Sequence, residues 1–161
     1  MAKVISIIMG SQSDLETLKE AIDILKKFKV GFEAKVLSAH RSPKELAAYA
    51  EEASGRGMKV FIAAAGGAAA LAGVIASHTT LPVIGIPIET KSLKGLDSLL
   101  STVQMPVGIP VACMSIGKSG AKNAAIFALQ ILGICDKKIK ARLGKYKKEM
   151  RLAIKRIKIK V

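Results

Sequence analysis

His40 and Arg41 are adjacent in the segment Ser38-Ala39-His40-Arg41. An imidazole titrates near neutral pH and can give and then take a proton at one atom. The guanidinium beside it is a permanent cation whose fork matches phosphate oxygens. The pair therefore suits proton transfer on a substrate anchored by its phosphate. A solvated His-Arg loop is the competing reading, and these four residues alone do not separate the two. His78, the only other histidine, stands beside Thr79-Thr80 ahead of an apolar run and reads as structural.

Two further segments carry candidate chemistry. Gly10-Ser11-Gln12-Ser13-Asp14 follows an apolar run and precedes helical spacing. Free N–H groups and the positive end of a helix dipole at such a turn favour an anion. Ser11 and Ser13 add hydroxyl donors, and Asp14 can accept from sugar hydroxyls. The set fits a ribose phosphate, and it equally fits a helix cap with no ligand. It is neither GxGxxG nor a Walker A loop, so NAD and ATP find no support. In the third segment, Gly66, Gly67, Ala68, Ala69 and Leu71 belong to a Gly/Ala turn nearly free of side chains. Such a turn lets backbone approach a ligand closely or encloses a small apolar molecule such as CO2, and tight helix–sheet packing would need the same residues. There is no Ser-His-Asp set. Cys113 and Cys135 lie in no CxxC or Cys/His cluster, which argues against a metal and for free thiols in a reducing cytoplasm.

Elements that alternate in type must position these segments. Residues 3–9, 32–37, 60–65, 82–87 and 110–116 read as strands. Helices are expected from Ser13, where Ser13 and Glu16 fit a capping box, and from Ser42, where Pro43 and Glu45 supply a first-turn proline and a second box. Further helices are expected after Gly67, over 96–103 and over 120–133. Strand–helix alternation with continuous apolar runs implies a parallel sheet buried on both faces. The expected fold is α/β, a three-layer sandwich of flavodoxin-like or Rossmann-like type. Ligands bind outside the carboxyl ends of its strands, where all three candidate segments fall.

Val60 to Ile88 holds no Asp, Glu, Lys or Arg, but Gly66, Gly67, Gly73, Pro82 and Pro87 divide it, so no membrane span is expected. The net charge of +14 is concentrated at one end, because residues 137–161 hold twelve basic side chains against Glu149 alone. Ile139, Leu143, Tyr146, Met150, Ile154 and Ile157 recur there at helical spacing. The expected organisation is a catalytic domain over 1–135 and a basic amphipathic helix over 136–161 that belongs to the same domain and to an oligomer interface. A basic tail raises nucleic-acid binding as a hypothesis. Tyr146 is its one aromatic residue, so base stacking has little support and a solvated helix face is the favoured reading.

The strings GSQSD, SAHRSP, AAAGGAAALAG, LPVIGIPI, GLDSLLSTVQMP and GIPVACMSIGKSGAKNAAIFALQIL resemble the PurE family in order and spacing, over residues 3–135. HRSP and DSLLSTVQMP are similar to the class that rearranges N5-carboxyaminoimidazole ribonucleotide, rather than the class that carboxylates aminoimidazole ribonucleotide with CO2. The resemblance implies a cytoplasmic homo-octamer of purine biosynthesis. It also implies a ribonucleotide and CO2 as small-molecule partners, and no metal, biotin or nucleotide cofactor. It assigns the ribose phosphate to Ser11, Ser13, Asp14, Ser38 and Arg41, further substrate binding to Gly10, Ala39, Gly66, Gly67, Ala68, Ala69 and Leu71, proton transfer to His40, and CO2 retention to the Gly/Ala loop.

One departure matters. The mutase class usually reads Gly-Gly-Ala-Ala-His-Leu-Pro-Gly in the third loop, whereas this chain has Ala70 at the histidine and Ala72 at the proline. Losing one donor to a ligand costs about 1–3 kcal/mol of binding. A mutase with altered contacts, a direct carboxylase and a paralogue with another ligand all remain open on that residue.

Overall fold

The computed structural model describes residues 2–159. The apolar runs form strands β1 (Lys3–Met9), β3 (Val60–Ala65) and β4 (Val83–Pro87), and Ile5, Ile7, Ile8, Phe61, Ile62 and Ile84 on them are fully or almost fully buried. β2 (Gly31–Val36) and β5 (Ala112–Cys113) form the edges of one five-stranded sheet in the order β2-β1-β3-β4-β5, with every neighbouring pair parallel. This is the flavodoxin-like order, so the α/β layered expectation holds. The chain moves outward from β1 to β2 and then crosses back to β3. Right-handed crossovers therefore place α1 (Leu15–Lys27) on one face and α2 (Pro43–Glu52) and α3 (Leu71–Ser77) on the other. Leu46, Tyr49 and Ala50 of α2 and Leu71, Ala72 and Ile75 of α3 share one buried cluster with Ile8, Phe61 and Ala63. The reversal between β1 and β3 opens a crevice at their carboxyl ends.

Four local expectations change. The helix after β1 starts from Ser11 rather than Ser13. Ser11 caps a 3-10 turn, Gln12–Asp14, in a box closed by Asp14, and α1 follows. Ser42 precedes α2 but makes no side-chain cap, because its hydroxyl turns back onto the main chain of Ser38. The fifth strand pairs over two residues only, Ala112 with Ile84 and Cys113 with Gly85, in place of 110–116. Pro110 lacks the N–H a ladder needs, and an edge strand has one neighbour to hold it. α4 (Leu96–Val103) spans the expected residues, whereas α5 (Gly117–Gly133) begins three residues early.

α2 is anchored through Tyr49, which bonds Ser6 Oγ of β1 at 2.6 Å, donates to Glu33 of β2 and carries the Arg56 guanidinium 4.2 Å above its ring. Burial and the Glu33 bond push its phenol up to about 12, so it stays a donor throughout the working range.

The chain divides into two compact units within α5, the first ending at Ala128 and the second beginning at Leu129. In the second unit Asp136 caps α6 (Lys137–Lys155), accepting the Lys138 and Ile139 N–H groups at 2.8 and 3.1 Å. Ile139 and Leu143 are buried, but Met150, Ile154 and Ile157 of the same stripe are exposed. Among the described residues no helix is long and apolar enough to cross a membrane.

Candidate active site

Three loops at the carboxyl ends of β1, β2 and β3 line one cavity of about 380 Å³. Gly10, Ser11 and Asp14 come from the first, Ser38, Ala39, His40 and Arg41 from the second, and Gly66, Ala68 and Leu71 from the third, together with Ala65 and Ala70. Ser13, Gly67 and Ala69 do not line it. Ser13 lies in a neighbouring cleft with Asp14, Gly66 and Lys118, and its hydroxyl donates to Ser11 Oγ at 3.0 Å. Ala69 is buried. His78 stands at the opposite end of the sheet, after α3, where its Nδ1 lies 2.9 Å from Glu51 Oε1.

The second loop is locked to the first. The Arg41 guanidinium donates to the Gly10 carbonyl at 2.7 Å, and its Nε and its main-chain N–H both donate to Ser38 Oγ at 3.3 and 3.2 Å. Ser38 is thus used twice as an acceptor, which leaves its own hydrogen to donate. His40 is exposed between them, on the cavity wall.

Asp14 accepts the Ser11 N–H at 3.0 Å and is buried. Burial pushes its carboxyl above the ordinary 3.8, against the downward pull of the Ser11 N–H, the Ser13 hydroxyl, the Gly10 N–H and Arg41. The folded chain therefore holds this proton more tightly than the unfolded one. Its stabilising contribution is full below 3.8 and is lost as pH rises through the folded value. Asp14→Asn keeps an acceptor for Ser11 but has no charge to bury. This variant is expected to melt no lower than wild type near neutrality and to lose part of the fall in Tm that wild type shows as pH rises above the ordinary 3.8. A clearly lower neutral Tm for Asp14→Asn would show that the ionised group stabilises the fold.

The third loop is supported from outside the cavity by residues that the sequence analysis did not single out. Ser98 of α4 accepts the Gly67 N–H at 2.9 Å, and Ser101 donates to the Gly67 carbonyl at 3.2 Å. The pattern of α4 gave no signal for them: Ser98 and Thr102, one turn apart, are buried, whereas the apolar Leu96, Leu100 and Val103 are exposed.

The AIR carboxylase family model matches residues 4–153. The N5-carboxyaminoimidazole ribonucleotide mutase of Saccharolobus solfataricus is 54% identical over 147 residues, covering 91% of this chain and 92% of the relative. The mutase of Bacillus subtilis is 56% identical over 143 residues, covering 89% and 88%. Among solved structures, Treponema denticola PurE superposes with a TM-score of 0.86 at 27% identity, covering 94% of both chains.

Proposed function

The chain belongs to the AIR carboxylase family, and from that premise we propose that it is a mutase of purine biosynthesis that interconverts N5-carboxyaminoimidazole ribonucleotide and 4-carboxyaminoimidazole ribonucleotide. The observation that carries the reading is the convergence of a proton carrier, a phosphate-binding cation and a Gly/Ala loop on one cavity. Arg41 and the hydroxyl hydrogens of Ser11 and Ser38 hold the phosphate, and Asp14 accepts from the ribose. Ser13 acts through its bond to Ser11.

His40 gives a proton to the carbamate nitrogen as the C–N bond breaks, the bonding pair stays on nitrogen, and CO2 is released. Gly66, Ala68 and Leu71 hold CO2 in place, with few polar side chains near it. C4 of the imidazole attacks the carbon of CO2, and neutral His40 takes the C4 proton. The proton lent at nitrogen returns from C4, so the step is a balanced isomerisation and needs no further reactant. Retaining CO2 matters because its loss converts the isomerisation into a decarboxylation. Ala70 places a methyl on the cavity wall where the mutase class usually carries a histidine, and the proton balance does not call on that position.

The protein works in the cytoplasm as a homo-octamer. The exposed Leu96, Leu100 and Val103 along one face of α4 support an assembly that covers them. The purified chain is expected to form 4-carboxyaminoimidazole ribonucleotide from the N5-carboxylated substrate without added bicarbonate, followed by chromatography of both ribonucleotides. Product formation only from aminoimidazole ribonucleotide with bicarbonate would overturn the mutase reading.

A further inference from the structure

Ser98 is fully buried. It accepts the Gly67 N–H at 2.9 Å and donates its single hydrogen to the Ile88 carbonyl at 2.7 Å. One hydroxyl thus ties the third loop to the end of β4. One turn later, Ser101 shares its hydrogen between the carbonyls of Gly67 at 3.2 Å and Asp97 at 2.7 Å. Gly67 is held at both its N–H and its C=O, one in each of its two flanking peptide groups. Gly67 has φ +68°, a conformation that side-chain-bearing residues adopt at a cost. α4 itself is seated closely on β4, because a Cβ on Gly85 would collide with Thr102 Cγ2. A rigid helix therefore fixes a loop that has almost no side chains of its own to fix it.

We propose that Ser98 is the positioning residue that sets the Gly66–Gly67 loop close enough to the reacting imidazole to retain CO2, with Ser101 as its weaker second. The inference rests on the mutase reading. Once the carbamate C–N bond has broken, free CO2 either meets C4 or escapes and leaves aminoimidazole ribonucleotide behind. Ser98 lies outside the cavity lining, so losing it alters this partition rather than the proton transfer.

The test compares wild type with Ser98→Ala, Ser98→Cys and Ser101→Ala. The measured quantity is aminoimidazole ribonucleotide released per 4-carboxyaminoimidazole ribonucleotide formed, together with uptake of labelled CO2 from solution into product. Ser98→Ala is expected to raise the release ratio about tenfold, with a matching rise in label uptake. Ser98→Cys, close in shape but weak in hydrogen bonding, falls between Ala and Ser. Ser101 is exposed, so Ser101→Ala folds, and it raises the ratio about two- to threefold. If Ser98→Ala does not fold, the other two variants decide. Folded Ser98 variants that turn over more slowly at an unchanged ratio have lost a structural contact only, and the proposal is overturned. A wild type that converts neither carboxylated ribonucleotide overturns the mutase reading itself, an outcome distinct from a working wild type with insensitive variants.

Discussion

His40→Asn is expected to bind the ribonucleotide and to lower turnover by about 10²–10⁴-fold. The side chain is exposed on a loop, so its replacement removes no core contact. Asparagine approximates the shape and polarity of the ring but cannot hold a proton near neutral pH. The equilibrium between the two carboxylated ribonucleotides belongs to the solution, not to the enzyme. Hence kcat/KM must fall by one factor in both directions. The fall has a second signature. Without a proton for the carbamate nitrogen the C–N bond does not break, so release of aminoimidazole ribonucleotide falls along with product. Loosening the Gly67 loop has the opposite signature, because there release rises while the proton step survives. Steady-state assays in both directions with calorimetric binding separate the two cases. Retention of more than about a tenth of turnover would show that another group moves the proton.

The parts of this architecture that announced themselves in the sequence are those set by local rules. β1, β3 and β4 are short apolar runs ended by Gly or Pro, and their length and flanks suit a doubly covered strand rather than a helix. The three candidate loops could be placed on one rim because strands of a parallel sheet all point the same way. What stayed hidden depends on tertiary contact. GSQSDLE contains two overlapping capping patterns, Ser11 with Asp14 and Ser13 with Glu16. Only the turn geometry after β1 selects the first. β5 looks like a strand by composition, but at the edge its register is held by β4 alone. Ser98 reaches Gly67 across 31 positions, and no local pattern encodes such a bond. The strand order decided between the two layered topologies that composition left open, and it placed the reversal between β1 and β3, where the cavity lies.

Arg41→Ala is expected to raise KM for the ribonucleotide by about 10–100-fold, the loss of about 1.5–3 kcal/mol from a charge-assisted hydrogen bond, with a smaller change in kcat. Arg41→Lys keeps the charge without the fork and is expected to fall between. A rise in KM alone would be ambiguous, since Arg41 also ties the first loop to the second through the Gly10 carbonyl and Ser38. The phosphate itself resolves the ambiguity. If Arg41 grips it, wild type prefers the ribonucleotide over the riboside strongly, and Arg41→Ala loses most of that preference because the variant no longer meets the group that distinguishes them. If Arg41 only holds the loops in register, both substrates suffer alike and the preference stays intact. The coupling between the arginine and the phosphate is thus read as a cycle of four kcat/KM values. A preference unchanged by Arg41→Ala would move the phosphate elsewhere on the rim, with the Ser11 turn as its remaining anchor.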